Sequence, residues 1–175
     1  MEPQIISYLE MCSREGVNLQ QGMNFRLGGH YSVILMSIRA NAPYQDNFTD
    51  DGTTLIYEGH DVPRNNPSIN PKLVDQPERT SAGTLTQNGK FHKVAQEVKA
   101  SLRSPELVRV YEKIRSGIWA DNGLFELVDS WLEYNGIRKV FKFKLVAIED
   151  DEVIPNNSNY LPQPSQRRRL IPTEV

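Results

Sequence analysis

PYQDNFTDDGTTLIYEGHD, residues 43–61, sets Tyr44 and Tyr57 on either side of a short acidic loop and runs through a strand, TTLIY, that stops at Glu58-Gly59. Two aromatic plates with a carboxylate between them can hold a flat polar ring. Stacking of that kind contributes about 1 to 3 kcal/mol per base, and Asp46 offers an acceptor to an exocyclic amino group. The same residues also suit a plain hairpin: Asp50-Asp51-Gly52 is a turn signal, and tyrosines beside a polar turn commonly pack into a core.

Upstream, Ile5, Ile6, Leu9 and Cys12 recur at helical spacing, which predicts a short amphipathic helix over 4–14 ending near Gly16. A loop punctuated by Gly16, Gly22, Gly28 and Gly29 carries Asn24, Phe25 and Arg26. It leads into the apolar run Tyr31 to Ile38, which reads as a buried strand. A polar, glycine-rich loop of this kind is ordinarily a connection, and its functional use would be to reach a ligand held by the sheet.

Downstream, residues 62–88 form a long irregular segment with four prolines, locally basic through Arg64, Lys72 and Arg79. From Gly89 to Arg103, Phe91, Val94, Ala95 and Val98 follow a helical period while Lys90, Lys93, Lys99 and Arg103 ride the other side. Ordinary solvation accounts for that basic face more readily than a ligand does. Leu107–Ile114 and Phe125–Tyr134 read as strands, and Asn135-Gly136 turns the chain into a run that alternates Val140, Lys142 and Lys144 with Phe141, Phe143 and Leu145. One side of that strand is expected to be basic and the other apolar. Residues 1–149 therefore form one domain, and the acidic, then Asn/Pro-rich, then Arg-rich stretch 150–175 reads as a tail or linker.

The 175 residues, 38% hydrophobic, suffice for a single core, and the net charge of −2 does not advertise nucleic-acid binding unless a basic face is hidden by the balance. No apolar run reaches the roughly 18 residues of a membrane span, and the start has no signal-peptide layout, so a cytoplasmic protein is expected. Cys12 is the only cysteine, which excludes an internal disulfide and a thiolate zinc cluster. Short strands with one or two helices indicate an α+β domain with a curved sheet or partial barrel.

The segment order resembles the SRA (SET- and RING-associated, or YDG) domain. The resemblance runs over about residues 14–148 through Gly16-Val17-Asn18, Gly22-Met23, Tyr31–Leu35, Tyr44-Gln45-Asp46, Leu55–Asp61, Asp75-Gln76, Leu85–Asn88, Val108–Val110 and Tyr134–Val140. The family's Tyr-Asp-Gly stands here as Tyr134-Asn135-Gly136, and the loop between Asp61 and Asp75 does not match the Asn-Lys-Arg finger of eukaryotic members. The compact LIYEGHD is more like bacterial members, where SRA domains are fused to HNH-type nucleases in modification-dependent restriction.

The resemblance implies a PUA-like sheet or partial β-barrel with flanking helices, and a reader of duplex DNA that flips 5-methylcytosine or 5-hydroxymethylcytosine into a pocket. Tyr44, Tyr57, Asp46 and Glu58 would form that pocket, with Asp46 accepting from the N4 amino group. Asn24, Phe25 and Arg26 would replace the flipped base, and Arg64, Lys90, Lys93 and Lys99 would touch phosphates. No catalytic residue, cofactor or metal is expected within this chain. A fused nuclease and a second copy of the chain stand as further partners. Two other readings stay open: a PUA-like RNA-binding module, and a divalent-metal hydrolase built on Glu58, His60 and Asp61 with His30 or His92 as extra ligands.

Overall fold

The computed structural model describes residues 2–148, so the expected tail lies outside the described residues. The chain enters as β1 (Gln4–Ser7), turns into α1 (Tyr8–Glu15), and lays down β2 (Met23–Asn24), β3 (Ser32–Met36), β4 (Asn47–Phe48) and β5 (Thr54–Glu58). A long connection with a single 3-10 turn (Pro71–Leu73) leads to α2 (Gln87–Lys99). The remainder is β6 (Glu106–Arg115), β7 (Ile118–Tyr134) and β8 (Lys139–Ala147). One sheet runs in the order β2-β3-β6-β7-β8-β5-β4, with β1 added to β7. Its ladders are antiparallel except for β3 on β6.

The curvature is set by β7. Its first residues lie between β1 and β6, whereas Asp129–Tyr134 pair with β8. Register breaks between Arg109 and Tyr111 on β6, and between Leu127 and Asp129, bend the strand and increase its twist. Gly123, at φ +81°, adopts a left-handed backbone beside the first break. The α+β class and curved sheet expected from the sequence are therefore present, with helices packed against the sheet.

Alternation along β3 divides the interior. Ile34 and Met36 face a large cluster containing Phe91, Val94 and Ala95 of α2 together with Phe141 and Phe143. Val33 and Leu35 face a smaller one with Met11 and Cys12 of α1, Tyr111 and Trp119. Burying a single phenylalanine of the large cluster contributes about 1.5–3 kcal/mol, so α2 is held by its apolar stripe.

The first helix begins later than the helical spacing predicts. Ser7 and Glu10 form a capping box, with the Glu10 N–H donating to Ser7 Oγ at 3.1 Å and the Ser7 N–H to Glu10 Oε2 at 3.0 Å. Ile5 and Ile6 precede this start and pair as strand with Ala120 and Trp119. Gly16, at φ +70°, closes the helix where expected. The basic side expected of β8 is also only partly present: Lys144 is exposed, but Val140 and Lys142 are buried. Lys142 is under the surface because a carboxylate meets it there.

Candidate functional site

The end of β3, the loop after it, the end of β5 and the β6–β7 turn converge on a cavity of about 350 Å³. Tyr44, Asp46 and Tyr57, all from the stretch 43–61, line it together with His60, Ser37, Arg39, Lys113 and Trp119. Lys113 and Trp119 are cross-strand partners. The backbone of this cavity is tightly held. The Asn88 side chain brackets His60, accepting its N–H at 2.8 Å and donating to its carbonyl at 2.8 Å. Gln76 donates to the Gly59 carbonyl at 2.6 Å and accepts from the Phe141 N–H at 2.8 Å. Gly59 must lack a side chain, since a Cβ there would sit 2.7 Å from Asn88 Oδ1 and 2.8 Å from Gln76 Oε1.

The two tyrosines do not face each other across an open slot. The His60 ring lies against both, stacked on Tyr44 at a centroid distance of 4.8 Å and 8° between planes, and 6.1 Å from Tyr57 at 46°. Its Nε2 is 2.8 Å from the Tyr57 hydroxyl. Burial lowers the imidazole pKa to about 4, so the ring is neutral at physiological pH. Burial likewise raises both tyrosine hydroxyls, which stay protonated. The Lys72 ammonium sits 4.4 Å from the Tyr44 centroid while paired to Asp61 at 2.8 Å.

Asp46 is the carboxylate on the cavity wall. Its Oδ1 accepts from the Glu58 N–H at 3.1 Å and its Oδ2 from the Ser37 N–H at 3.3 Å. Burial outweighs those two bonds and pushes its pKa up to about 7. Near neutrality the group can therefore accept a hydrogen bond when ionised or donate one when protonated. Glu58 turns elsewhere: its Oε2 meets Lys142 Nζ at 3.3 Å and the Gln45 N–H at 3.2 Å, and its Oε1 lies 3.9 Å from Arg138. Asp61 pairs with Lys72 and Arg138. Burial works to raise its pKa, but hydrogen bonds from Lys72, Arg138 and Gln76 prevail and hold the carboxyl below its ordinary value. Arg138 also donates to the carbonyls of Pro71 and Val74, at 2.6 and 3.2 Å, which ties the long 62–88 connection to the sheet. Glu58, His60 and Asp61 thus diverge. Among the described residues no three His, Cys, Asp or Glu side chains come together as a cation site.

Scans against protein-family models and curated proteins find no match. Solved structures do match. The SRA domain of SUVH5 in complex with hemimethylated CG DNA superposes with a TM-score of 0.55 at 23% identity, over 83% of this chain and 86% of that one. The fold is that of an SRA domain. The same SUVH5 domain bound to fully hydroxymethylated CG DNA gives 0.53 at 22% identity, over 85% and 89%. KRYPTONITE in complex with mCHG DNA and SAH gives 0.50 at 18%, over 84% of this chain and 32% of that one.

In this SRA fold the other residues singled out from the sequence are dispersed. Asn24 is buried and donates to the Gln21 carbonyl at 2.8 Å, and Phe25 packs edge-on against Phe91 at 5.6 Å. Arg26, at φ +48°, makes a two-point bond to buried Glu106, 2.8 Å in each arm. Arg64 is exposed and Lys90 half-buried. Lys93 and Lys99 are exposed and reach Glu97 at 3.9 Å and Asp129 at 3.3 Å. Sequence reading passed over Ser37, Arg39, Lys113 and Trp119. Ser37 and Arg39 sit in the loop that leads from β3 into the stretch 43–61, whereas Lys113 and Trp119 have no link to that stretch in sequence and only the sheet brings them to it.

Proposed function

We propose that this chain reads modified cytosine in duplex DNA, taking a flipped 5-methylcytosine or 5-hydroxymethylcytosine into the cavity between β3 and β5. The observation that carries this reading is the convergence of Tyr44, Asp46 and Tyr57 on one cavity of about 350 Å³. It is supported by likeness to SRA domains solved with methylated and hydroxymethylated DNA. Ionised Asp46 accepts from the N4 amino group, where thymine would present an acceptor instead. Aromatic stacking, at about 1–3 kcal/mol per base, offsets the few kcal/mol lost in flipping.

Around the cavity, Arg39 and Lys113 supply positive charge towards the phosphates of the flipped nucleotide. Arg64, Lys90, Lys93 and Lys99 extend phosphate contact along the duplex, and Asn24, Phe25 and Arg26 would fill the vacated stack only by leaving their partners Gln21, Phe91 and Glu106. Glu58 acts behind the cavity by fixing the Gln45 backbone. The chain serves as the specificity domain of a bacterial modification-dependent restriction endonuclease, with cleavage assigned to an HNH-type nuclease fused to it. The support for that context is the likeness of Leu55–Asp61 to bacterial SRA members.

Binding to matched duplexes that differ at one cytosine, unmodified, 5-methyl, 5-hydroxymethyl or glucosylated, at one stated salt concentration tests the reading. Tighter binding to one modified duplex, lost in Tyr44→Ala and Asp46→Ala, is expected. Equal, weak and salt-sensitive binding to all four would overturn it.

A further inference from the structure

We propose that His60 occupies the base slot beside the cavity: its imidazole sits against Tyr44 and Tyr57, and a flipped pyrimidine must displace it to be read. The proposal rests on the modified-cytosine reading and adds to it a competitor supplied by the protein.

Three observations lead there. The imidazole lies on Tyr44 in the parallel arrangement a nucleobase would adopt, 4.8 Å between centroids and 8° between planes, and it also touches Tyr57. Its polar edge is used as a base edge would be, with Nε2 2.8 Å from the Tyr57 hydroxyl. Gly22 makes the room, because a Cβ there would stand 2.6 Å from that same nitrogen. A planar, neutral heterocycle with a hydrogen-bonding rim is what this slot accepts.

The ring can leave without disturbing the fold. Asn88 fixes the His60 backbone on both sides, at N–H and carbonyl, so departure is a rotation about the side-chain bonds between staggered positions. The adjoining cavity of about 350 Å³ gives the ring somewhere to turn. The energetic consequence is specific. A competitor in the slot lowers the affinity of every flipped base by the same factor, the fraction of molecules with the slot open, and leaves the ratio between two bases unchanged. Discrimination then belongs to Asp46, and the threshold for any insertion belongs to His60.

Two experiments test this. His60→Ala, with its fold checked by circular dichroism, should bind the preferred modified duplex about tenfold tighter if the slot is open in about a tenth of wild-type molecules, with the preference between modified duplexes unchanged. Weaker binding, or a changed preference, would overturn the proposal and make His60 a fixed wall. In wild type, the His60 ring-proton NMR signals, displaced by the stacked Tyr44, should move to solvent-like positions when the preferred duplex is added. Signals that stay displaced in a saturated complex would overturn it even if the alanine variant fails to fold. If the preference for a modified duplex is absent in wild type and His60→Ala alike, the base-reading function falls together with this proposal. If it is present and only the His60 results are negative, the competitor alone is refuted.

Discussion

Lys142 and Glu58 are ladder partners on β8 and β5, and their side chains meet beneath the surface with Nζ 3.3 Å from Oε2, only 8% and 7% exposed. A buried carboxylate deprived of its cation is costly, more so than the pair is favourable. Lys142→Met should therefore destabilise the domain by about 3 kcal/mol, the low end for such losses because Arg138 remains 3.9 Å away. Adding Glu58→Gln should restore much of that. Urea unfolding of the two single variants and the double variant checks the coupling, and a Lys142→Met loss under about 1 kcal/mol would contradict it.

Asp46 carries a pH signature. Its folded pKa of about 7 lies above the ordinary carboxyl value, so between roughly pH 4 and 7 the folded state holds a proton that the unfolded state has lost. Stability from this group is greatest at low pH and declines by a few kcal/mol as pH rises through that window. Asp46→Asn should flatten this part of the stability profile measured by urea unfolding across pH.

The same titration should govern binding. Ionised Asp46 accepts from an N4 amino group more strongly than the protonated carboxyl does, so affinity for the preferred modified duplex should rise by up to about tenfold between pH 6 and 8 in wild type. No such rise should appear in Asp46→Asn. A pH-independent wild-type affinity would remove Asp46 from the contact.

Asn88, 2% exposed, supplies both polar partners of the His60 backbone. Asn88→Ala leaves the half-buried His60 N–H and carbonyl without these partners, at up to about 1–3 kcal/mol for each. A thermal unfolding midpoint lowered by several degrees is expected, accompanied by weaker binding to the modified duplex. An unchanged midpoint would mean that water takes over both bonds.

Arg39 and Lys113 line the cavity, and among the described residues neither is in an ion pair. If they hold phosphates, Arg39→Gln and Lys113→Gln should each weaken all duplexes alike and reduce the slope of log K against log salt by about one. An unaltered slope would remove them from the phosphate contact.

The sequence carried the strands well wherever apolar and polar residues alternate over a half-buried ladder, as in Leu107–Ile114 and the run after Asn135-Gly136. It misled at Ile5 and Ile6, whose spacing suits a helix but which precede the Ser7 cap, because local chemistry at the cap overrode periodicity. It misled again at Lys142, where alternation suggested a solvated cation and the partner, Glu58, is distant in sequence. The site was legible only where it is local. Tyr44, Asp46 and Tyr57 belong to one stretch, whereas Lys113 and Trp119 reach the cavity through β6 and β7. That His60 would lie between the tyrosines depends on Gly22 and Asn88, neither of which the sequence linked to it.

The parallel pairing of β3 with β6 also has a consequence in time. Hairpins such as β6–β7 and β7–β8 close over short spans, but β3 can meet β6 only after the whole intervening chain has been gathered in. Ser37 through His60, most of the cavity wall, lie inside that gathered span. The cavity is therefore assembled late, on a scaffold of earlier hairpins. Changes to its walls should hasten unfolding while leaving the refolding rate almost untouched.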